Sequence, residues 1–122
     1  MDKDFLKYMP AYIKELYDPQ LKRDRIARER LQHIALKLST YAKAAVNIVQ
    51  RQKEMDLTQT EKKALHYSNN PSNELIETLV SILIKAYEID KTTRKLLFDS
   101  YRILCGNYPK LAQKIDRAMR KR

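Results

Sequence analysis

The chain has 122 residues, 43% of them hydrophobic and 33% charged, with a formal net charge of +10 and a pI near 9.7. Such an apolar content excludes wholesale disorder, and one glycine and four prolines leave little room for β-hairpins. No stretch reaches the roughly 18 apolar residues of a membrane-spanning helix, and a single cysteine excludes an internal disulfide and fits a reducing, cytoplasmic setting.

The expectation is therefore all-α: a compact bundle of about five to six helices in a single domain over residues 1–122. The start, Met1-Asp2-Lys3-Asp4, lacks the basic-then-apolar pattern of a secretory signal. Phe5, Met9, Tyr12 and Leu16 recur at helical spacing, with Leu6, Ile13 and Tyr17 alongside. Pro10 interrupts them and suits the first turn of a helix, which Asp18-Pro19 ends. No proline or glycine then appears up to Lys53. Ala27, Leu31, Ile34, Leu38, Tyr41, Ala45 and Ile48 alternate steps of four and three, which predicts one long helix over about 20–52, or two if Ser39-Thr40 breaks it. Its seam suits packing within the chain better than pairing between chains.

Thr58 and Glu61 have capping-box spacing and open a short helix through about Tyr67. Residues 57–65 resemble the opening helix of helix-turn-helix modules, but the apolar helix that follows could not lie in a major groove. Residues 68–72, Ser-Asn-Asn-Pro-Ser, read as a loop whose Asn70 or Ser72 caps the next helix. That helix, about 72–89, is the most apolar stretch, with apolar residues over an arc of about 220° at 100° per residue. Glu77, Ser81, Lys85 and Glu88 form its polar stripe. It belongs at the centre of the bundle. Asp90 caps a helix from Lys91 to Cys105, and Gly106 stands where a left-handed residue commonly ends a helix. Asn107-Tyr108-Pro109 opens the last helix, to about Met119, with 119–122 expected as a frayed basic tail.

The charge is uneven. Residues 19–54 carry nine bases against three acids, and residues 91–122 carry ten against two. Residues 74–90 carry one base against four acids. On the last helix Lys110, Lys114, Arg117 and Lys121 fall within roughly 60° of one another at 100° per residue. Leu111, Ile115, Ala118 and Met119 lie on another side. A cationic ridge facing away from an apolar face suits a phosphate backbone, although Arg117, Arg120, Lys121 and Arg122 also complement the helix dipole. Lys22, Arg23, Arg25, Arg28 and Arg30, continuing to Lys37, form a second cluster, where the dipole works against cations. Its arginines suit phosphate. Lys91, Arg94, Lys95 and Arg102 are weaker candidates.

Of eight tyrosines, Tyr12, Tyr41, Tyr87 and Tyr101 sit on apolar stripes and read as core. Tyr108, beside Pro109 and Lys110, is the one placed to meet a ligand. Cys105 reads as a small buried hydrophobe. Glu74, Glu77, Glu88 and Asp90 are expected to pair with bases of flanking helices, the alternative being head-to-tail docking with another copy. His33 and His66 lack a second ligand at metal spacing, Glu29 and His33 read as a surface pair, and no phosphate loop or nucleophile elbow occurs. No enzyme, metal or cofactor is expected. The partner expected is nucleic acid, bound without much base readout, in an accessory subunit of a nucleoprotein assembly. The alternative is an inhibitor- or immunity-type bundle that binds an acidic protein. Peripheral membrane binding through the last helix has too few apolar residues behind it.

Overall fold

A computed structural model describes residues 10–67 and 70–121, apart from the side chains of residues 11 and 12. The expected positions of Phe5, Leu6, Met9 and the Tyr12 side chain, of Ser68 and Asn69 in the loop, and of Arg122 in the tail lie outside the described residues. The protein is all-α. Among those residues there are six α-helices: α1 (Ala11–Tyr17), α2 (Pro19–Gln50), α3 (Gln59–Leu65), α4 (Asn73–Ile89), α5 (Arg94–Leu104) and α6 (Pro109–Arg120). One 3-10 turn, Lys91–Thr93, precedes α5. None of these helices is long and apolar enough to cross a membrane. The chain divides into two units, one ending at Leu31 and the other beginning at Gln32.

In the first unit, the Pro10 carbonyl accepts from the Ile13 and Lys14 amides at 3.0 and 3.1 Å and starts α1. Asp18 closes it in extended conformation, and its carboxylate accepts from the Gln20 amide at 3.0 Å at the head of α2. Glu15 of α1 binds Arg25 of α2, which also meets Glu29 at 3.1 Å. Of the expected apolar stripe, Leu16 and Tyr17 are 78% and 53% exposed and Ile13 is half-buried, so its described end is not part of a core. Residues 19–30 are exposed throughout, Ala27 of the expected seam included.

The second unit is a helical bundle. Within residues 32–50, α2 is continuous, and Thr40 keeps its hydroxyl on the Leu36 carbonyl at 3.0 Å without breaking the helix. The seam agrees with expectation at Ile34, Leu38 and Ala45 and differs at Tyr41 and Ile48. Ala35, Leu38, Ala42, Ala45 and Val49 are fully buried, while Tyr41 and Ile48 are only half-buried. The buried line runs through the small Ala35, Ala42 and Ala45, and the bulkier Tyr41 and Ile48 flank it. Ser39, 2% exposed, donates to the Leu65 carbonyl at 3.1 Å. It thereby satisfies one of the carbonyls left over at the end of α3.

The capping box forms: the Thr58 hydroxyl accepts from the Glu61 amide at 3.1 Å, and the Glu61 carboxylate accepts from the Thr58 amide at 3.0 Å. Ser72 caps α4, accepting from the Leu75 amide at 3.1 Å. Ile76, Leu79, Val80, Ile82, Leu83, Ala86 and Tyr87 of α4 are buried, an arc of about 160° at 100° per residue. Leu75 and Ile84 are half-buried and Ile89 is exposed, so the apolar face is narrower than composition implies. The helix packs on α3, α5 and α6 and on the 3-10 turn, and is the centre of this unit. Each fully buried Leu or Ile contributes roughly 1.5–3 kcal/mol.

The Asp90 carboxylate accepts from the Thr92 amide at 2.9 Å and the Thr92 hydroxyl at 2.7 Å, which lowers its pKa, and its cap opens a 3-10 turn before α5. Two expectations at the end of α5 are corrected. Gly106 has no positive φ, because the chain leaves the helix through turns that bring the Asn107 and Tyr108 amides to the Leu104 carbonyl at 3.3 and 2.8 Å. Cys105 is exposed, since Leu104 is the last residue of α5 to reach the core. Proline at the first position of α6 is as expected, and the helix runs through Arg120, so the chain leaves it two residues later than the predicted tail.

Candidate nucleic-acid interface

The candidate bases divide between the two units. In the first, Lys22, Arg23, Arg25, Arg28 and Arg30 are all exposed on α2. Arg25 is engaged. The Glu15 hydrogen bond, followed by that of Glu29, raises its pKa, and a phosphate would have to displace both carboxylates. Asp24 accepts from the Gln20 carboxamide at 2.8 Å. Among the described residues no carboxylate stands within ion-pair distance of Lys22, Arg23 or Arg28.

In the second unit, Lys37 is exposed on α2, and Lys110, Lys114, Arg117 and Lys121 are exposed on α6. Ala112, Ile115 and Ala118 turn into the core and fix which way α6 faces. At 100° per residue the centre of the cationic ridge lies about 130° around the helix from theirs. Asp116, the one acid of α6, lies beyond the apolar side and is taken up by Arg120 at 3.1 Å. Arg120 is thus occupied and off the ridge. The four ridge cations meet no carboxylate among the described residues. Among the weaker candidates, Lys91 sits over the buried Tyr87 ring, 4.2 Å from its centroid, where a cation is attracted to the π face. Arg94, Lys95 and Arg102 are exposed on α5.

The acidic stripe of α4 corrects one expectation. Glu74, Glu77 and Glu88 are exposed and pair with no base among the described residues. The stripe's single base, Lys85, reaches instead to Glu61 of α3, donating to its two oxygens at 2.9 and 3.2 Å, and to the Asp56 carbonyl at 3.2 Å. Burial works against the Glu61 charge, but the hydrogen bonds from Lys85 and Thr58 outweigh it, and the net pKa shift is downward. Glu61 and Lys85 were legible separately, as a capping-box residue and as the lone base of the stripe. Their pairing was not.

Two openings lie in the second unit. One is a broad groove between α2, α3 and the intervening loop, lined by Lys43, Asn47, Gln50, Met55, Lys62 and His66 among others. The other is a cleft of about 330 Å3 between the first turns of α4 and α6, lined by Asn73, Glu77, Asn107, Tyr108, Pro109, Lys110 and Leu111. Tyr108 is half-buried there, which pushes its phenol pKa up, and its hydroxyl donates to Asn73 Oδ1 at 3.0 Å. Among the described residues no group of three or more His, Cys, Asp or Glu side chains is placed to hold a metal ion. Comparisons with protein-family models, with curated proteins and with solved structures find no match for the chain.

Proposed function

We propose that this is a non-enzymatic nucleic-acid-binding protein that contacts the phosphate backbone through basic helix faces, as an accessory subunit of a nucleoprotein assembly. The observation that carries the reading is the α6 ridge: Lys110, Lys114, Arg117 and Lys121, exposed along one side and without a carboxylate among the described residues. Intramolecular pairing does not account for these cations, and a helix dipole accounts only for those of the last turn. Lys22, Arg23 and Arg28 in the first unit are further exposed cations, but at 100° per residue they are spread round α2 rather than gathered on one face.

Phosphates release counterions when such a ridge binds them. Four contacts give a log–log salt slope of about −3.6 on duplex and about −2.8 on single strands. Between about 50 and 200 mM salt, affinity then falls roughly 150-fold on duplex and roughly 50-fold on a single strand. Anisotropy titrations against matched single- and double-stranded DNA and RNA measure this directly. Replacing Lys114 and Arg117 together by Glu lowers affinity for every sequence and flattens the slope by about 2, while circular dichroism stays unchanged because both side chains are exposed. Unchanged affinity in that variant removes the ridge from the interface. Absence of binding at the lower salt discards the nucleic-acid reading and leaves the ridge as a docking surface for an acidic protein.

A further inference from the structure

We propose that the cleft at the head of α6 is a pocket for one unpaired guanine base, an inference that deepens the phosphate-binding reading and rests on it. At about 330 Å3 the cleft falls in the size range of small-ligand sites. Tyr108, Pro109 and Leu111 give it the aromatic and apolar surface on which an unpaired base stacks. Lys110 belongs both to this cleft and to the ridge. A strand whose phosphates follow Lys110 and Lys114 therefore passes the mouth of the cleft.

The polar groups select the base. Asn73 and Glu77 are four residues apart on α4 and so stand one above the other on a single face. The Tyr108 hydroxyl donates to Asn73 Oδ1 at 3.0 Å, which orients the carboxamide and leaves its Nδ2 to donate to a ligand. Glu77 has no basic partner among the described residues, and its carboxylate offers two acceptors. The α4 side of the cleft thus presents a donor followed by two acceptors. Guanine shows the complement along its pairing edge: the O6 acceptor, then the N1–H and N2–H donors. Adenine and cytosine both set an amino donor against the Asn73 donor. Thymine and uracil set O2 against a carboxylate oxygen. The same carboxylate repels phosphate, so the base enters the cleft and the backbone stays on the lysines.

The test compares labelled single-stranded oligothymidylates of about twelve nucleotides, within the range of known single-strand site sizes, each with one central guanine, hypoxanthine or adenine. Hypoxanthine keeps O6 and N1–H and lacks only the amino group. The guanine strand binds about tenfold tighter than either of the others, within the discrimination of a bidentate base contact. Glu77→Gln erases that preference and keeps the affinity for the adenine strand. Lys114→Glu with Arg117→Glu weakens all three strands alike. Guanosine monophosphate as competitor separates the sources. If it displaces the guanine strand at micromolar concentration, the pocket takes a free nucleotide, and if it needs millimolar concentration, the strand is the ligand; either supports the pocket. Equal binding of the three strands with a steep salt slope overturns the pocket and spares the phosphate reading. Absence of binding by any strand overturns both.

Discussion

Lys85→Met tests the internal bridge from α4 to α3. The substitution keeps the length of the apolar stem and removes the donor to both Glu61 oxygens and to the Asp56 carbonyl. The Glu61 side chain is 9% exposed, so its charge is left with the Thr58 amide at 3.0 Å and little water. Breaking a fully buried pair costs about 3–5 kcal/mol. The Lys85 side chain is 38% exposed, which lets solvent replace part of what it supplied, and the expected loss is about 2 kcal/mol. For a chain of this size that lowers the melting temperature by about 8 °C. Adding Glu61→Gln removes the stranded charge while keeping an acceptor for the Thr58 amide, and recovers more than half of the loss. The pH dependence has a definite sign. A carboxyl whose folded pKa is depressed adds stability above its ordinary value of about 4.3, and that stability fades as acid takes pH through the lower folded value. The gap between wild type and Lys85→Met therefore narrows below about pH 4. Urea denaturation of the two single variants and the double variant from pH 7 downward reads all three quantities. Equal midpoints at neutral pH, or strictly additive single effects, refute the bridge as an energetic link.

Two further outcomes concern the end of α5. Gly106→Ala is tolerated, because an added Cβ meets nothing within 4 Å and no positive φ is required. The smaller entropy of the unfolded chain raises stability by about 0.4–1 kcal/mol, and a fall in the urea midpoint contradicts the turn geometry. Cys105, exposed and the only cysteine, reacts with one equivalent of a disulfide reagent in the native protein. Labelling that needs denaturant contradicts its placement.

Helical periodicity and cap chemistry are local, and they located most of the fold: the long helix, the apolar α4, and the caps at Thr58, Ser72 and Asp90. The seam of α2 is legible at Ile34, Leu38 and Ala45, but falls one residue early at Tyr41 and Ile48, whose size dominates an apolar count while Ala42 and Val49 are the buried residues. Gly106 and Cys105 were misread because a sequence marks where a helix ends but not which way the chain leaves it. Exposed cations on α6 follow directly from their spacing. The Tyr108 contact with Asn73 spans 35 positions and Lys85 with Glu61 spans 24. No local pattern announces either, so the cleft and the bridge emerge only once α4 is in place.

Seven residues of α3 are too few to hold a helix in water. Beyond its own capping box, this segment is fastened by Ser39 from α2 and by Lys85 from α4, at sequence distances of 26 and 24. Each bond forms only once its own partner helix is in position. α3 is accordingly expected to dock late, after the apolar faces of its neighbours have collapsed, and φ-values near zero for Ser39→Ala and Lys85→Met are the result that shows it. Interactions made that late lie on the native side of the barrier. They govern how long the folded molecule persists more than how quickly it is reached.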